Sequence, residues 1–268
     1  MRHKIHLFIA GTPRSGTTAI TRMLSHHTNI ALCMERFKYV YKDDVLVPAD
    51  FSLERILEFR PSETNFNPNS PEHSTHYKRV LSKWADSSVI GDKCPTLYKK
   101  YLYLSRSFAG TARFLYLARD IEAICSSWNA RALNNSDPWP RGNDFTQAVS
   151  YWNDANRRTV AALDAGLPIL VVSYDGLFDG RSHLGDLTLK AILDHVSQTS
   201  DPQLTDAWRR YCVEYEALAA TRPMVALPGQ DEVLARRADH AMYKRLMRFA
   251  LSRTSIGRVG GLARPSRH

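Results

Sequence analysis

The 268-residue sequence predicts an α/β fold, a three-layer sandwich with a mostly parallel central sheet. Three observations lead there. Short apolar runs of strand length recur along the chain. Helical patterns fill the segments between them. The first apolar run ends in a glycine-bracketed turn that opens directly into a helical pattern.

The elements follow in order. Ile5 to Ala10 is apolar apart from His6 and is closed by Gly11, which reads as a buried strand. From Gly16, the residues Ala19, Ile20, Met23 and Leu24 recur at helical spacing, giving strand, tight turn and helix. Val89 to Gly91 is a short strand, and RFLYLA (113–118) and ILVVS (169–173) are two more. Helical patterns cover 96–106, 121–132, 144–165, 183–196, 206–220 and 231–251. PSETNFNPNSP (61–71) and NNSDPWPRGN (134–143) are polar, turn-rich loops, either pocket walls or plain surface connections. Ligands of such sheets sit beyond the carboxyl ends of the strands, so polar residues just after each strand become site candidates.

Composition narrows the class. An apolar fraction of 44% with 10% aromatics suits a globular chain with a sizeable core, read as one domain over 1–268. No apolar run approaches the ~20 residues that span a membrane. The first apolar run is too short for a signal peptide, so the expected location is cytoplasmic. Cys33, Cys94, Cys125 and Cys212 are scattered and suggest neither a disulfide framework nor a zinc site. His26-His27 and His73/His76 lack cysteine or acidic companions at ligand spacing, so no metal site is expected. The net charge is +9, and residues 236–268 carry nine Lys/Arg against the single acid Asp239. That basic stretch suits a phosphorylated cofactor, an anionic membrane surface or a solvated helix with a frayed tail. No nucleic-acid motif accompanies it.

The first turn carries the chemistry. GTPRSGTT (11–18) has Gly11 and Gly16 at the spacing of a phosphate-binding P-loop, with Thr18 at its Ser/Thr position. Such glycines let main-chain N–H groups wrap an anion at a helix N-terminus. Thr17 replaces the usual lysine, and the positive charge moves into the turn as Arg14. An arginine there can grip a phosphate-like group with two parallel hydrogen bonds. A second candidate anion site follows RFLYLA, where Arg119 ends the strand and Ser127 and Arg131 share a face of the next helix. A salt-bridged helix start at Arg119, Asp120 and Glu122 fits the same residues.

GTPRSGTT after the first strand, joined with FLYLARDIEAICSSW (114–128), resembles the sulfotransferase family. The likeness runs from about residue 5 to residue 180 and lies in the R-S-G-T-T branch, which includes tyrosylprotein sulfotransferases and many bacterial enzymes. It implies a P-loop-containing α/β sandwich and 3′-phosphoadenosine-5′-phosphosulfate (PAPS) as donor, leaving as adenosine 3′,5′-bisphosphate, with no metal required. By resemblance, Arg14, Ser15, Gly16, Thr17 and Thr18 bind the 5′-phosphosulfate. Arg119, Ser127 and Arg131 bind the 3′-phosphate side, and Tyr174 in VVSYDGL stands near the nucleotide. Glu35 in HHTNIALCMERF falls at the family's general base, with His26, His27 and Asp43 as alternatives and a pair with Arg36 or Lys38 as its plain structural reading. Lys93 in GDKCP matches the family's D-K-x-P segment and could supply the charge missing at Thr17. Ser255, Gly257 and Arg258 in SRTSIGR resemble the basic C-terminal element that closes over the nucleotide.

The implied reaction is in-line transfer of a sulfuryl group to a hydroxyl of a carbohydrate, lipid or secondary metabolite. Glu35, Arg14 and Lys93 are the catalytic candidates. The variable acceptor side is expected in residues 36–88. The expected partner is a small-molecule or glycan acceptor, with no nucleic acid, no membrane span and peripheral contact only through the basic 236–268 segment. The sequence does not specify the oligomeric state. Two alternatives stay open, an ATP-dependent phosphotransferase and a non-catalytic module that binds anions or lipid.

Overall fold

The computed structural model describes residues 4–137, 139, 142–180, 183–221 and 223–256. Five strands form one sheet: β1 (Ile5–Gly11), β2 (Ile30–Met34), β3 (Val89–Lys93), β4 (Ala112–Ala118) and β5 (Ile169–Ser173). Their order is β2-β3-β1-β4-β5, and every neighbouring pair is parallel. All five carboxyl ends therefore meet on one edge of the sheet.

Apart from β3, which ends in Asp92 and Lys93, the strands read as near-continuous apolar runs because both faces are covered. Leu7, Ile9, Leu32, Leu115 and Val172 face one layer, made by α1 (Thr17–Leu24), α7 (Tyr174–Phe178), α8 (Leu184–His195) and α9 (Pro202–Thr221). Phe8, Cys33, Ile90, Phe114 and Val171 face the other. That layer holds α2 (Leu53–Leu57), α3 (Pro71–Leu81), α4 (Tyr101–Ser107), α6 (Phe145–Asp164) and α11 (His240–Ile256). A third cluster joins α5 (Ile121–Ala132) to α6 and α10 (Gln230–Arg237) through Trp128, Trp152 and Leu234. The expected three-layer α/β sandwich is the fold observed.

Besides the short helices α2 and α7, three elements differ from the sequence expectation. β2 was not anticipated: IALCM is only five residues long and lacks the aromatic and β-branched richness of β4 and β5. α3 was not anticipated either, because PEHSTHYKRVL is polar and its buried side chains are mostly Tyr and His. The expected single helix 231–251 is two, α10 and α11, broken at Ala238, whose ψ is 124°. The Asn153 amide stitches the break, donating to the Arg237 carbonyl at 2.7 Å and accepting the Asp239 N–H at 2.9 Å. The Asp239 carboxylate then caps α11 by accepting the Met242 N–H at 2.9 Å.

α3 also closes an open sheet edge. β2 is an edge strand, and its outward main-chain groups would otherwise lack partners. His76 Nε2 donates to the Leu32 carbonyl at 2.9 Å, and the Met34 N–H donates to the Tyr77 hydroxyl at 3.4 Å. Burial, offset in part by that bond to Leu32, pushes the His76 imidazole down to about 3.

Among the described residues, no helix is long and apolar enough to cross a membrane. Among the same described residues, no group of three or more His, Cys, Asp or Glu is arranged to hold a metal ion. All four cysteines are buried thiols.

Candidate active site

Each strand delivers one candidate residue to the shared carboxyl edge. Arg14 lies in the turn after β1, Glu35 directly follows β2, and Lys93 is the last residue of β3. Arg119 directly follows β4, and Tyr174 directly follows β5. The parallel topology thus gathers residues spread over 160 positions at one end of the sheet.

The loop after β1 is tightly built. Ser15 N–H closes a turn onto the Thr12 carbonyl at 2.9 Å. Gly16 is the helix N-cap with φ 96°. A Cβ there would lie 2.2 Å from the Tyr174 ring, so only glycine lets the tyrosine pack against the loop. A Cβ at Gly11 would lie 2.5 Å from Ser15 Oγ and 2.8 Å from the Leu117 carbonyl. Arg14 has φ 77°, a left-handed conformation that non-glycine residues adopt rarely and mostly where surrounding structure enforces it.

The surroundings do enforce it. Trp128 Nε1 donates to the Pro13 carbonyl at 2.9 Å, and an Arg119 N–H donates to the Arg14 carbonyl at 3.2 Å. Arg14 Nε donates to Ser127 Oγ at 3.0 Å. The Arg119 guanidinium lies over the Tyr174 ring at 4.5 Å. Arg14, Arg119, Ser127 and Tyr174, predicted from three separate segments, therefore form one cluster. Arg131 lies one helical turn beyond Ser127. It pairs with Asp137 through two bonds, at 2.7 and 2.5 Å, and stacks on Trp139 at 4.4 Å. Asp137 was not anticipated, because nothing in NNSDPWPRGN marks one acid as an arginine partner.

The second half of the site centres on Glu35, also left-handed at φ 56°. Its carboxylate accepts from Lys93 at 3.0 Å and from Lys38 at 2.8 Å. Its N–H donates to the Lys93 carbonyl at 2.6 Å, and its carbonyl accepts from the Thr64 hydroxyl at 2.6 Å. Burial pushes this carboxyl up, but the Lys93 and Lys38 ammoniums outweigh it and hold it down at about 2. Lys93 is 3% exposed, so it is a buried partner of Glu35 and not a solvated turn lysine. Next along the chain, Arg36 is wholly buried and binds Glu63 at 2.8 Å, together with the carbonyls of Arg55, Ile56 and Glu58. This fastens the 55–63 segment beside the Glu35 turn. A cleft of about 700 Å³ opens there, lined by Tyr39, Phe59, Arg60, Thr64, Asn65 and Phe66 among others.

The alternative bases lie elsewhere. α1 runs back from the carboxyl edge, so His26 and His27 sit near the amino ends of the strands. There His27 contacts the Thr199 carbonyl at 3.0 Å and the Asn29 N–H at 3.0 Å. Asn29 in turn accepts the Val89 N–H at the start of β3. Asp43 is exposed at the end of a 3₁₀ turn. α11 begins near Trp152 and reaches Asp164, at the far end of α6, through Arg245 at 2.8 Å. It therefore runs away from the carboxyl edge, with Ser255 in its last turn. Gly257 and Arg258 lie outside the described residues.

Two atoms of the cluster point to a ligand. Among the described residues, Ser15 Oγ and Arg119 Nε are buried and find no hydrogen-bond partner. Buried polar groups are nearly always paired, so an anion acceptor at Arg119 and a polar group at Ser15 fit this loop.

The sulfotransferase family profile matches residues 6–196, which takes in the sheet from His6 onward and all five strand-end candidates, but not Ser255, Gly257 or Arg258. The chain belongs to the sulfotransferase family. Among solved structures, this sulfotransferase-family chain is similar to the sulfotransferase domain from the curacin biosynthetic pathway, at 14% identity and TM-score 0.49, covering 95% of this chain and 96% of that one. It is also similar to sulfotransferase STF1 from Mycobacterium tuberculosis H37Rv, at 17% identity and TM-score 0.48, covering 93% and 77%. Sulfotransferase STF9 from Mycobacterium avium aligns at 12% identity and TM-score 0.48, covering 90% and 77%. No curated protein sequence matches the chain.

Proposed function

We propose that the chain is a PAPS-dependent sulfotransferase acting on a hydroxyl of a carbohydrate, lipid or secondary metabolite. One observation supports the reading beyond family membership: the glycine-bracketed turn at Arg14–Thr18 and a lysine-paired carboxylate at Glu35 share one edge of the sheet. PAPS would supply the sulfuryl group and leave as adenosine 3′,5′-bisphosphate. The N–H groups of the 14–18 turn, the α1 N-terminus and the Ser15, Thr17 and Thr18 hydroxyls would hold the 5′ end. Arg119, Ser127 and Arg131 would hold the 3′-phosphate side, with Tyr174 beside them.

Glu35 would take the proton of the acceptor hydroxyl. A carboxylate held at about 2 is a weak base. Any anion that draws Lys93 off Glu35 removes the main charge that depresses it, so its proton affinity rises. The base is thereby coupled to the filling of the neighbouring cradle. Lys93 and Arg14 would stabilise negative charge at the transferring group, and loss of either should reduce the rate by ~10²–10³. The cleft beside Glu35, within 36–88, would seat the acceptor. The same reading takes the chain as a single cytoplasmic domain.

Thermal melting with adenosine 3′,5′-bisphosphate and with ATP, both without magnesium, tests the donor. A ligand that binds only the native state raises the melting temperature. The expected result is a rise with the bisphosphate, none with ATP, and loss of the rise in Arg119→Ala. A larger rise with ATP plus magnesium would overturn the reading and favour a phosphotransferase.

A further inference from the structure

The turn that carries Glu35 is gripped by a residue with no role so far. Asp92 is wholly buried at the penultimate position of β3. Its Oδ1 accepts the Arg36 N–H at 3.2 Å. Its Oδ2 accepts the Phe37 N–H at 3.1 Å and the Tyr41 hydroxyl at 3.2 Å. All three donors are uncharged, and all belong to the segment that follows Glu35. The two N–H groups are those of the next two residues after a left-handed position, an arrangement whose successive N–H groups can converge on one anion.

Lys93, the next residue, holds Glu35 itself through its carbonyl and its ammonium, at 2.6 and 3.0 Å. Two adjacent residues of β3 thus fix one glutamate, Asp92 through the main chain behind it and Lys93 through the side chain. Burial pushes the Asp92 carboxyl up to about 6, against the pull of the Phe37 and Arg36 N–H groups. A carboxylate kept in so unfavourable a place has its interactions concentrated on the Glu35 turn.

We infer that Asp92 is a positioning residue for Glu35: its two-oxygen grip on the Arg36 and Phe37 N–H groups holds the left-handed turn that keeps the Glu35 carboxylate against Lys93. Its catalytic meaning rests on the reading of Glu35 as base. The mechanical link does not. The Asp92 carboxyl keeps lone pairs on both oxygens whether ionised or, as at the pH where Glu35 titrates, protonated, whereas asparagine turns an NH₂ toward the second N–H, so the turn loses half its hold. Glu35 then leaves Lys93 and Lys38, and its carboxyl rises.

The test is a carbon-13 NMR titration of the glutamate side-chain carboxyls, with the Glu35 signal assigned by its absence in Glu35→Gln. The wild-type signal is expected to titrate near 2. In Asp92→Asn it is expected to rise by about one pH unit or more, a tenfold gain in proton affinity. An unchanged Glu35 titration in a folded Asp92→Asn protein overturns the inference. Should that variant not fold, amide hydrogen exchange on the wild type decides. The Arg36 and Phe37 N–H groups should exchange slower than exposed loop amides by about 100-fold or more, and exchange at loop rates overturns it. Both readouts need no acceptor. They are therefore separate from the base assignment, which Glu35→Gln tests through loss of sulfuryl transfer.

Discussion

Lys93 holds Glu35 at both ends: its carbonyl accepts the Glu35 N–H at 2.6 Å, and its ammonium donates to the Glu35 carboxylate at 3.0 Å. The pair spans the gap between the edge strand β2 and its neighbour β3. It sets the charge state of the only acid among the five strand-end candidates.

Removing the carboxylate leaves Lys93 buried beside an uncharged amide. Glu35→Gln should destabilise the protein by about 3 kcal/mol at pH 7, since breaking a buried pair strands the other charge. The Glu35 carboxyl is depressed from an ordinary 4.5 to about 2. Its contribution is therefore present above 4.5 and lost as pH falls through 2. Urea midpoints of wild type and variant should converge as pH is lowered from 4.5 to 2.

Asp92 has the opposite sign. Its carboxyl is raised from 3.8 to about 6. The stability it adds relative to the unfolded chain is full below 3.8 and lost as pH rises through 6. The wild-type advantage over Asp92→Asn should thus shrink between those values, by about 3 kcal/mol. Melting temperatures of both proteins across pH 4 to 7 measure it.

Gly16 and Tyr174 should behave as a coupled pair. Gly16→Ala places a Cβ 2.2 Å from the ring at a φ of 96° and should cost about 3 kcal/mol. Tyr174→Ala relieves the clash and not the backbone strain. A double-mutant cycle by chemical denaturation should give a clearly non-additive coupling, and additivity would show that the ring does not pack there.

Arg36 secures the cleft wall. Arg36→Met removes a buried guanidinium from Glu63 and three carbonyls and should destabilise by about 3–5 kcal/mol. If the cleft seats the acceptor, a stabilised background carrying this change should show a raised acceptor KM with little change in donor binding.

What could be read in advance follows the strength of local signals. GTPRSGTT and FLYLARDIEAICSSW declare strand, turn and helix in a few residues, and Arg14, Arg119 and Ser127 of the cluster came from them, with Tyr174 from VVSYDGL. Lys93 and Glu35 were placed by motif, and the αL turn that points Glu35 at Lys93 had no signature, because glycine is absent there. Asp92 lay inside GDKCP in plain view. Its role depends on N–H groups 56 and 55 positions away, and no local pattern encodes such a partner. β2 escaped because five apolar residues suit a strand or a buried turn equally. Asp137 was missed as a partner for a like reason, since pairing is set by how loops return to the sheet, whereas Lys38, three residues from Glu35, was legible as its partner.

The α3 cover on β2 has a consequence for how large acceptors can be recognised. With His76 and Tyr77 occupying the outward groups of Leu32 and Met34, this border cannot accept an extended peptide as a sixth strand. The imidazole is held down at about 3 and stays uncharged through the mildly acidic range, so the barrier persists there. The same closure removes a template on which partly folded copies could stack edge to edge during synthesis.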